Sequence, residues 1–175
     1  MNSVFEEFRK KGLNYSASSL SELSITYNKY NVFLDDTKYF ASSSSPSDQW
    51  WQVSFQKPVY IYKYLIKDKT TYCNNIIDWI VNVSIDNINW KTVSTVNNAD
   101  IKSDNAMFNL DNPVTCAHFR IVAKRNGCPS NGMLFTYIDI YGSISKVSIL
   151  GCTCKRRCSK TFNIAFAFII FLFFY

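Results

Sequence analysis

A chain of 175 residues, 47% apolar and 17% aromatic, is long and hydrophobic enough to bury one full core, which excludes a disordered segment. Its net charge of +6 is unevenly spread: all thirteen acidic side chains and fourteen of the nineteen basic ones fall in residues 1–144, so the body is nearly neutral and the last 31 residues carry the excess. A nucleic-acid surface on the body is thereby excluded, because it needs clustered Lys and Arg to displace counterions.

The first residues, MNSVFEEFRKKGL, do not form the apolar core of a signal peptide, since Glu6, Glu7, Arg9, Lys10 and Lys11 interrupt it. Val4, Phe5 and Phe8 instead predict a short amphipathic helix that stops near Gly12. The default compartment is then the cytosol, where cysteines stay reduced and the sequons Asn14-Tyr15-Ser16 and Asn82-Val83-Ser84 carry little meaning.

Residues 14–47, rich in Ser, Tyr and Asn, predict an early strand followed by a long loop. In DQWWQVSFQKPV, Asp48 to Val59, Trp51, Val53 and Phe55 alternate with Gln52 and Ser54, the period of a sheet with one face on a core. Lys57-Pro58 punctuates this run and a second strand follows to residue 66. Asp68 to Asn75 is a polar loop. Trp79, Val81, Val83 and Ile85 form the next core-facing set, Asp86-Asn87 signals a hairpin, and Trp90 starts the return strand. Further on, Ala117, Phe119, Ile121 and Ala123 face one way while His118, Arg120 and Val122 face the other. Lys124 to Gly132 is a turn-dense loop, and Ile138 and Ile140 face the core from a last strand ending near Gly142. Strands separated by turn clusters, with no long helix, predict an all-β sandwich; a closed barrel is the structural alternative.

These segments resemble the coagulation factor V/VIII C-type, or discoidin, domain family. The resemblance rests on Ala17-Ser18-Ser19, Leu34-Asp35, the strand from Trp51 to Phe55 with Pro58, Ser84-Ile85-Asp86 to Trp90, His118-Phe119-Arg120-Ile121 and Asp139-Ile140-Tyr141-Gly142, in that order. It implies a discoidin-like, galactose-binding-like jelly-roll β-sandwich over residues 14–144, preceded by the short segment 1–13 and followed by a hydrophobic tail, 145–175. Ser54 departs from the family's usual Asp and Asp139 from its usual Glu.

What the resemblance implies for function is a non-catalytic binding module that takes a carbohydrate or a protein surface through loops at one end of the sandwich. By order those loops are about residues 20–31, 68–76 and 124–134, carrying Tyr27, Tyr30, Lys69, Tyr72, Lys124, Arg125, Asn126 and Asn131. Many members hold a structural calcium; here Asp35, Asp36 and Asp139 are its candidate ligands, with Lys38 where a Thr ligand often sits. Galactose-binding members often use a loop His, whereas His118, the single histidine, falls on a strand. Membrane-binding members present Trp, Phe, Leu or Met at the loop tips; Tyr and Lys here disfavour deep lipid insertion. The family fold places Cys73 and Cys128 at the same end, bridged if the chain is exported and free thiols in the cytosol, the state expected here.

Catalytic arrangements are sparse. Cys116 and His118 lie two apart on one strand, with no orienting third group. Asp78, Asp86, Asp100, Asp104 and Asp111 are scattered through turns and give no paired acid–base site. No phosphate-cradling glycine loop and no zinc spacing occurs within the body, so neither an enzyme nor a cofactor is expected.

After Ile144 the composition changes. GCTCKRRCSK is followed by FNIAFAFIIFLFFY, 14 uncharged residues that as a helix reach about 21 Å against a hydrocarbon core of ~30 Å. The expected alternative to a free module is therefore an intracellular interaction module tethered at the cytoplasmic side by shallow membrane contact through residues 155–175. Lys155, Arg156, Arg157 and Lys160 would face headgroups, with lipidation at Cys152, Cys154 or Cys158. An exported lipid-anchor signal around Gly151, or a sequence foreign to the domain, are the competing readings of the tail.

Overall fold

Ser3 fixes the entry of the chain. Its hydroxyl accepts the Glu6 amide at 3.3 Å and caps α1 (Val4–Lys10), which carries Glu6 and Glu7 in its first turn and Arg9 and Lys10 in its last, as the helix dipole favours. Val4, Phe5 and Phe8 are buried, and Gly12 leaves the helix at φ +62, so the expected amphipathic helix forms. The computed structural model describes residues 2–36, 38–43, 48–73, 75–102, 106–128 and 132–145. The tail from residue 146 on, with its proposed lipidation sites Cys152, Cys154 and Cys158, lies outside the described residues.

The remaining elements are antiparallel strands: β1 (Tyr15–Ser19), β2 (Phe40–Ala41), β3 (Trp50–Lys67), β4 (Ile76–Ser84), β5 (Lys91–Val96), β6 (Met107–Asn126), β7 (Leu134–Phe135) and β8 (Tyr137–Ile144). Two of these, β3 and β6, each belong to both layers. The first half of β3 lies between β1 and the second half of β6, which continues to β4 and β5; its second half lies between β8 and the first half of β6. The change of layer falls at the break in pairing between Ser54 and Val59. Lys57-Pro58 sits inside this break, where a missing amide donor costs no ladder bond. The result is the expected sandwich, folded from one continuous hydrogen-bonded sheet.

The two layers meet on aromatic side chains. Trp79 and Phe119 from one face Tyr64 and Phe108 from the other, with Trp79 and Phe108 centroids 4.9 Å apart and Tyr64 and Phe119 5.5 Å apart. The Trp79 Nε1–H donates to the Tyr64 hydroxyl at 2.9 Å, so both polar tips are satisfied inside the core. Burial pushes the Tyr64 phenol up to about 12. Trp51, Val53, Val81, Ile121, Ile138 and Ile140 complete the core at 0% exposure. Ile85 does not belong to it: it is 43% exposed, because β4 ends at Ser84 and the chain has already entered the hairpin, where Asn87 takes φ 63.

Cys73 and Cys128 are joined by a disulfide across 55 residues, which corrects the expectation of free thiols. The family order placed their loops together; only the compartment argument favoured reduction. Cys116, the free cysteine among the described residues, is buried.

Candidate binding site

β1 ends at Ser19 beside Trp51, and β3 ends at Lys67 beside Tyr137. β6 ends at Asn126 beside Ile76. The described parts of the segments 20–39, 68–75, 97–102 and 127–133 consequently leave the strands at one end of the sandwich. The Cys73–Cys128 bridge ties two of these segments, and the Gly127 amide donates to the Asn75 carbonyl at 2.9 Å. Gly127 is required there: a Cβ would stand 2.2 Å from the Cys73 carbonyl oxygen.

Three tyrosines gather on this end. Tyr27 and Tyr39 stack with centroids 4.6 Å apart and ring planes 18° from parallel, and Tyr72 leans on Tyr39 at 6.0 Å. Asn31 makes the arrangement possible, since its side-chain amide donates to the Thr26 carbonyl at 2.8 Å and the Tyr39 carbonyl at 2.9 Å, drawing the first loop back on itself. Tyr72 is 55% exposed. Its carbonyl accepts Lys102 Nζ at 2.8 Å, and Lys69 pairs with Asp35 at 2.5 Å beside it in sequence. Burial, then the Tyr27 and Tyr72 hydroxyls, hold the Tyr39 phenol above its ordinary value, so Tyr39 stays neutral and keeps its O–H donor.

The structure therefore brings together Tyr27 and Tyr72 of the expected set and adds Tyr39. Tyr30 stands apart against Phe33, with the Lys29 ammonium 5.4 Å from its ring. Lys124 pairs with Asp48, and Arg125 forms a two-pronged pair with Asp78 at 2.6 and 3.0 Å while also donating to Asn98. Asn126 closes β6, and Asn131 lies outside the described residues. The candidate calcium ligands have separate partners. Asp35 holds Lys69, Asp36 accepts the Lys38 amide, and Asp139, 6% exposed, accepts the Ser3 hydroxyl at 2.6 Å. Among the described residues no three metal-ligating side chains cluster. The first loop also exposes Leu23, Ile25 and Leu34, which its Tyr-rich sequence did not emphasise.

A Ser–His contact on the sheet face invites comparison with a nucleophile and base: His118 Nδ1 lies 2.8 Å from Ser54 Oγ. Burial holds the imidazole below its ordinary value. The carboxylate that acts on His118, Asp86, is occupied by the amides of Ile88 and Asn89 and by the Ser84 hydroxyl. Ser54 Oγ also accepts from Gln52 Nε2 at 3.0 Å, so neither an oriented base nor an activated hydroxyl is assembled. Cys116 is fully buried, and burial pushes its thiol up to about 12, so it forms no thiolate nucleophile.

The sequence profile of the F5/8 type C domain matches residues 14–135. The chain belongs to the F5/8 type C domain family. Solved structures similar to this F5/8 type C domain include chitosan-binding module 1 from the chitosanase/glucanase of Paenibacillus sp. IK-5, with TM-score 0.61 and 20% identity over 74% of this chain and 96% of that one. Chitosan-binding module 2 of the same enzyme, solved with chitotriose, aligns with TM-score 0.61 and 18% identity over 74% of this chain and 98% of that one. A CBM32 module from Clostridium perfringens, solved with GalNAc-β-1,3-galactose, gives TM-score 0.63 and 15% identity over 73% and 95%. At these identities the likeness establishes the shared fold. No curated protein matches the chain.

Proposed function

We propose that this F5/8 type C domain is a non-catalytic binding module that takes a glycan at its loop end, with Tyr27, Tyr39 and Tyr72 as the stacking surface and Lys69 and Lys102 as hydrogen-bond donors beside it. The observation that supports this reading is the convergence of three rings from two separate loops, held by Asn31 and by the Cys73–Cys128 bridge. Aromatic faces stack on the C–H faces of sugars, and lysines donate to hydroxyls. The glycan complexes of two modules of the same fold support the ligand class.

A glycan array with the full chain, followed by calorimetry on the best glycan, tests it. Tyr72→Ala should weaken binding at least about tenfold, near 1.4 kcal/mol, with the melting temperature unchanged; equal affinity in the variant removes the assignment. The exposed Leu23, Ile25 and Leu34 favour a second reading, in which the first loop meets a protein surface. A chain that binds no glycan on the array and loses a protein partner in Ile25→Ser supports that second reading instead. The membrane tether is a separate proposal about the tail, residues 145–175: the full chain should pellet with membranes and a chain ending at Ile144 should not.

A further inference from the structure

The disulfide changes the meaning of the two sequons. Protein disulfides form in oxidising compartments, and those are also where Asn-X-Ser and Asn-X-Thr segments meet the glycosylation machinery. We propose that Asn14 is an N-glycosylation site and that the chain matures in such a compartment.

The fold distinguishes the two candidates. Asn14 is exposed at the turn between α1 and β1, and Ser16 two residues on is exposed as well. Its backbone is held, since the Asn14 amide donates to Gln56 Oε1 at 2.8 Å and its carbonyl accepts the Gln56 amide at 3.0 Å. Among the described residues no hydrogen bond engages its side-chain amide. β1 is an edge strand, so the flank beyond Asn14 meets no further strand of the sheet. Asn14 also pairs with the corner of β3, at the end opposite the tyrosines, where an attached glycan leaves the loop end clear.

Asn82 offers none of this. It sits mid-strand in β4 between Thr92 of β5 and Arg120 of β6, half-buried, and its side-chain oxygen accepts the Thr92 hydroxyl at 2.8 Å. Ser84, which carries the hydroxyl of its sequon, is 4% exposed, and that hydroxyl is already bonded to Asp86 and to the Asn87 amide. A glycan on Asn82 would stand over the neighbouring Arg120.

The modification forms a bond from Asn14 Nδ2 to the anomeric carbon of an oligosaccharide carried on a polyprenyl diphosphate. The anomeric C–O bond breaks, the diphosphate lipid leaves with the bonding pair, and the amide gives up one proton. The test uses the full chain made in eukaryotic cells, digested with an amide-cleaving glycosidase and mapped by peptide mass spectrometry with free thiols alkylated before reduction. Expected are a mobility shift on digestion, conversion of Asn14 to Asp in the released peptide, and a Cys73–Cys128 bridge. The shift should vanish in Asn14→Gln and persist in Asn82→Gln. An unmodified Asn14, with the bridge or without it, or a glycan on Asn82, overturns the proposal. Ligand binding is not read in this test, so its failure leaves the glycan-binding reading untouched.

Discussion

The guanidinium of Arg120 lies between two indoles, 4.3 Å from the ring centre of Trp50 and 3.8 Å from that of Trp90, while its Nε and Nη2 both donate to Gln52 Oε1 at 3.0 and 2.8 Å. Trp50 comes from β3, Arg120 from β6 and Trp90 from the end of the hairpin, so one side chain clamps three elements on the outer face of the sheet. Gln52 is 3% exposed under this clamp. Arg120→Ala removes both ring contacts and strands a buried carbonyl oxygen, an expected loss of about 2–4 kcal/mol in urea denaturation. Arg120→Lys keeps the charge but not the planar fork, and should fall between. A loss below about 0.5 kcal/mol in the alanine variant, the range of an ordinary surface change, contradicts the clamp.

The bridge is the second test. Closing a loop of 55 residues stabilises by about 4 kcal/mol in the chain-entropy model. Cys73→Ser with Cys128→Ser should lower the melting temperature and weaken loop-end binding together, because Tyr72 adjoins the bridge. Reductant should lower the melting temperature of the native chain and leave that of the double variant alone; an insensitive native chain argues against a formed bridge.

His118 gives a pH dependence of known sign. Burial, and then Arg120, push its pKa below the ordinary value of 6.5, while Asp86 pulls the other way. The folded state therefore resists protonation that the unfolded chain accepts. Stability from the neutral imidazole is present above pH 6.5 and is lost as the pH falls towards the lower folded pKa. Melting temperatures measured down to pH 5.5 should fall more in the native chain than in His118→Gln; parallel curves dismiss the effect.

Gly142 tests the packing of the second layer. A Cβ there would stand 1.9 Å from the Tyr60 carbonyl oxygen, so Gly142→Ala must push β8 away from β3. The expected cost exceeds about 2 kcal/mol, with faster hydrogen exchange along residues 138–144. Unchanged exchange there points to relaxation elsewhere.

Much of this structure was legible in the sequence wherever one periodicity dominated. Trp79, Val81 and Val83 had only one way to face, and Lys57-Pro58 marked the corner because proline cannot donate. The first half of β6 was missed. Its residues, Met107 to Thr115, are exposed over much of their length and lack clean alternation: Phe108 and Leu110 face the core, but Asp111, Asn112 and Pro113 interrupt the pattern after them. At the loop end, Tyr27 and Tyr72 were foreseeable from loop order. Tyr39 was not, because its place depends on the two bonds from Asn31, which no spacing announces. The bridge was missed for a different reason: covalent state follows from the surroundings of the chain as well as from its residues.

The ends of the described body have a consequence for how the domain can be assembled. The Gly142 amide donates to the Asn2 carbonyl, Ser3 pairs with Tyr141, and the Ser145 amide donates to Pro58 at the corner of β3. Entry and exit of the chain are thus neighbours near the closed end of the sandwich. The domain behaves as a plug with both leads on one side. Polypeptide joined before Asn2 or after Ser145 would meet it there, so a reporter or a second module could be attached at either lead while the tyrosine end still faces outward.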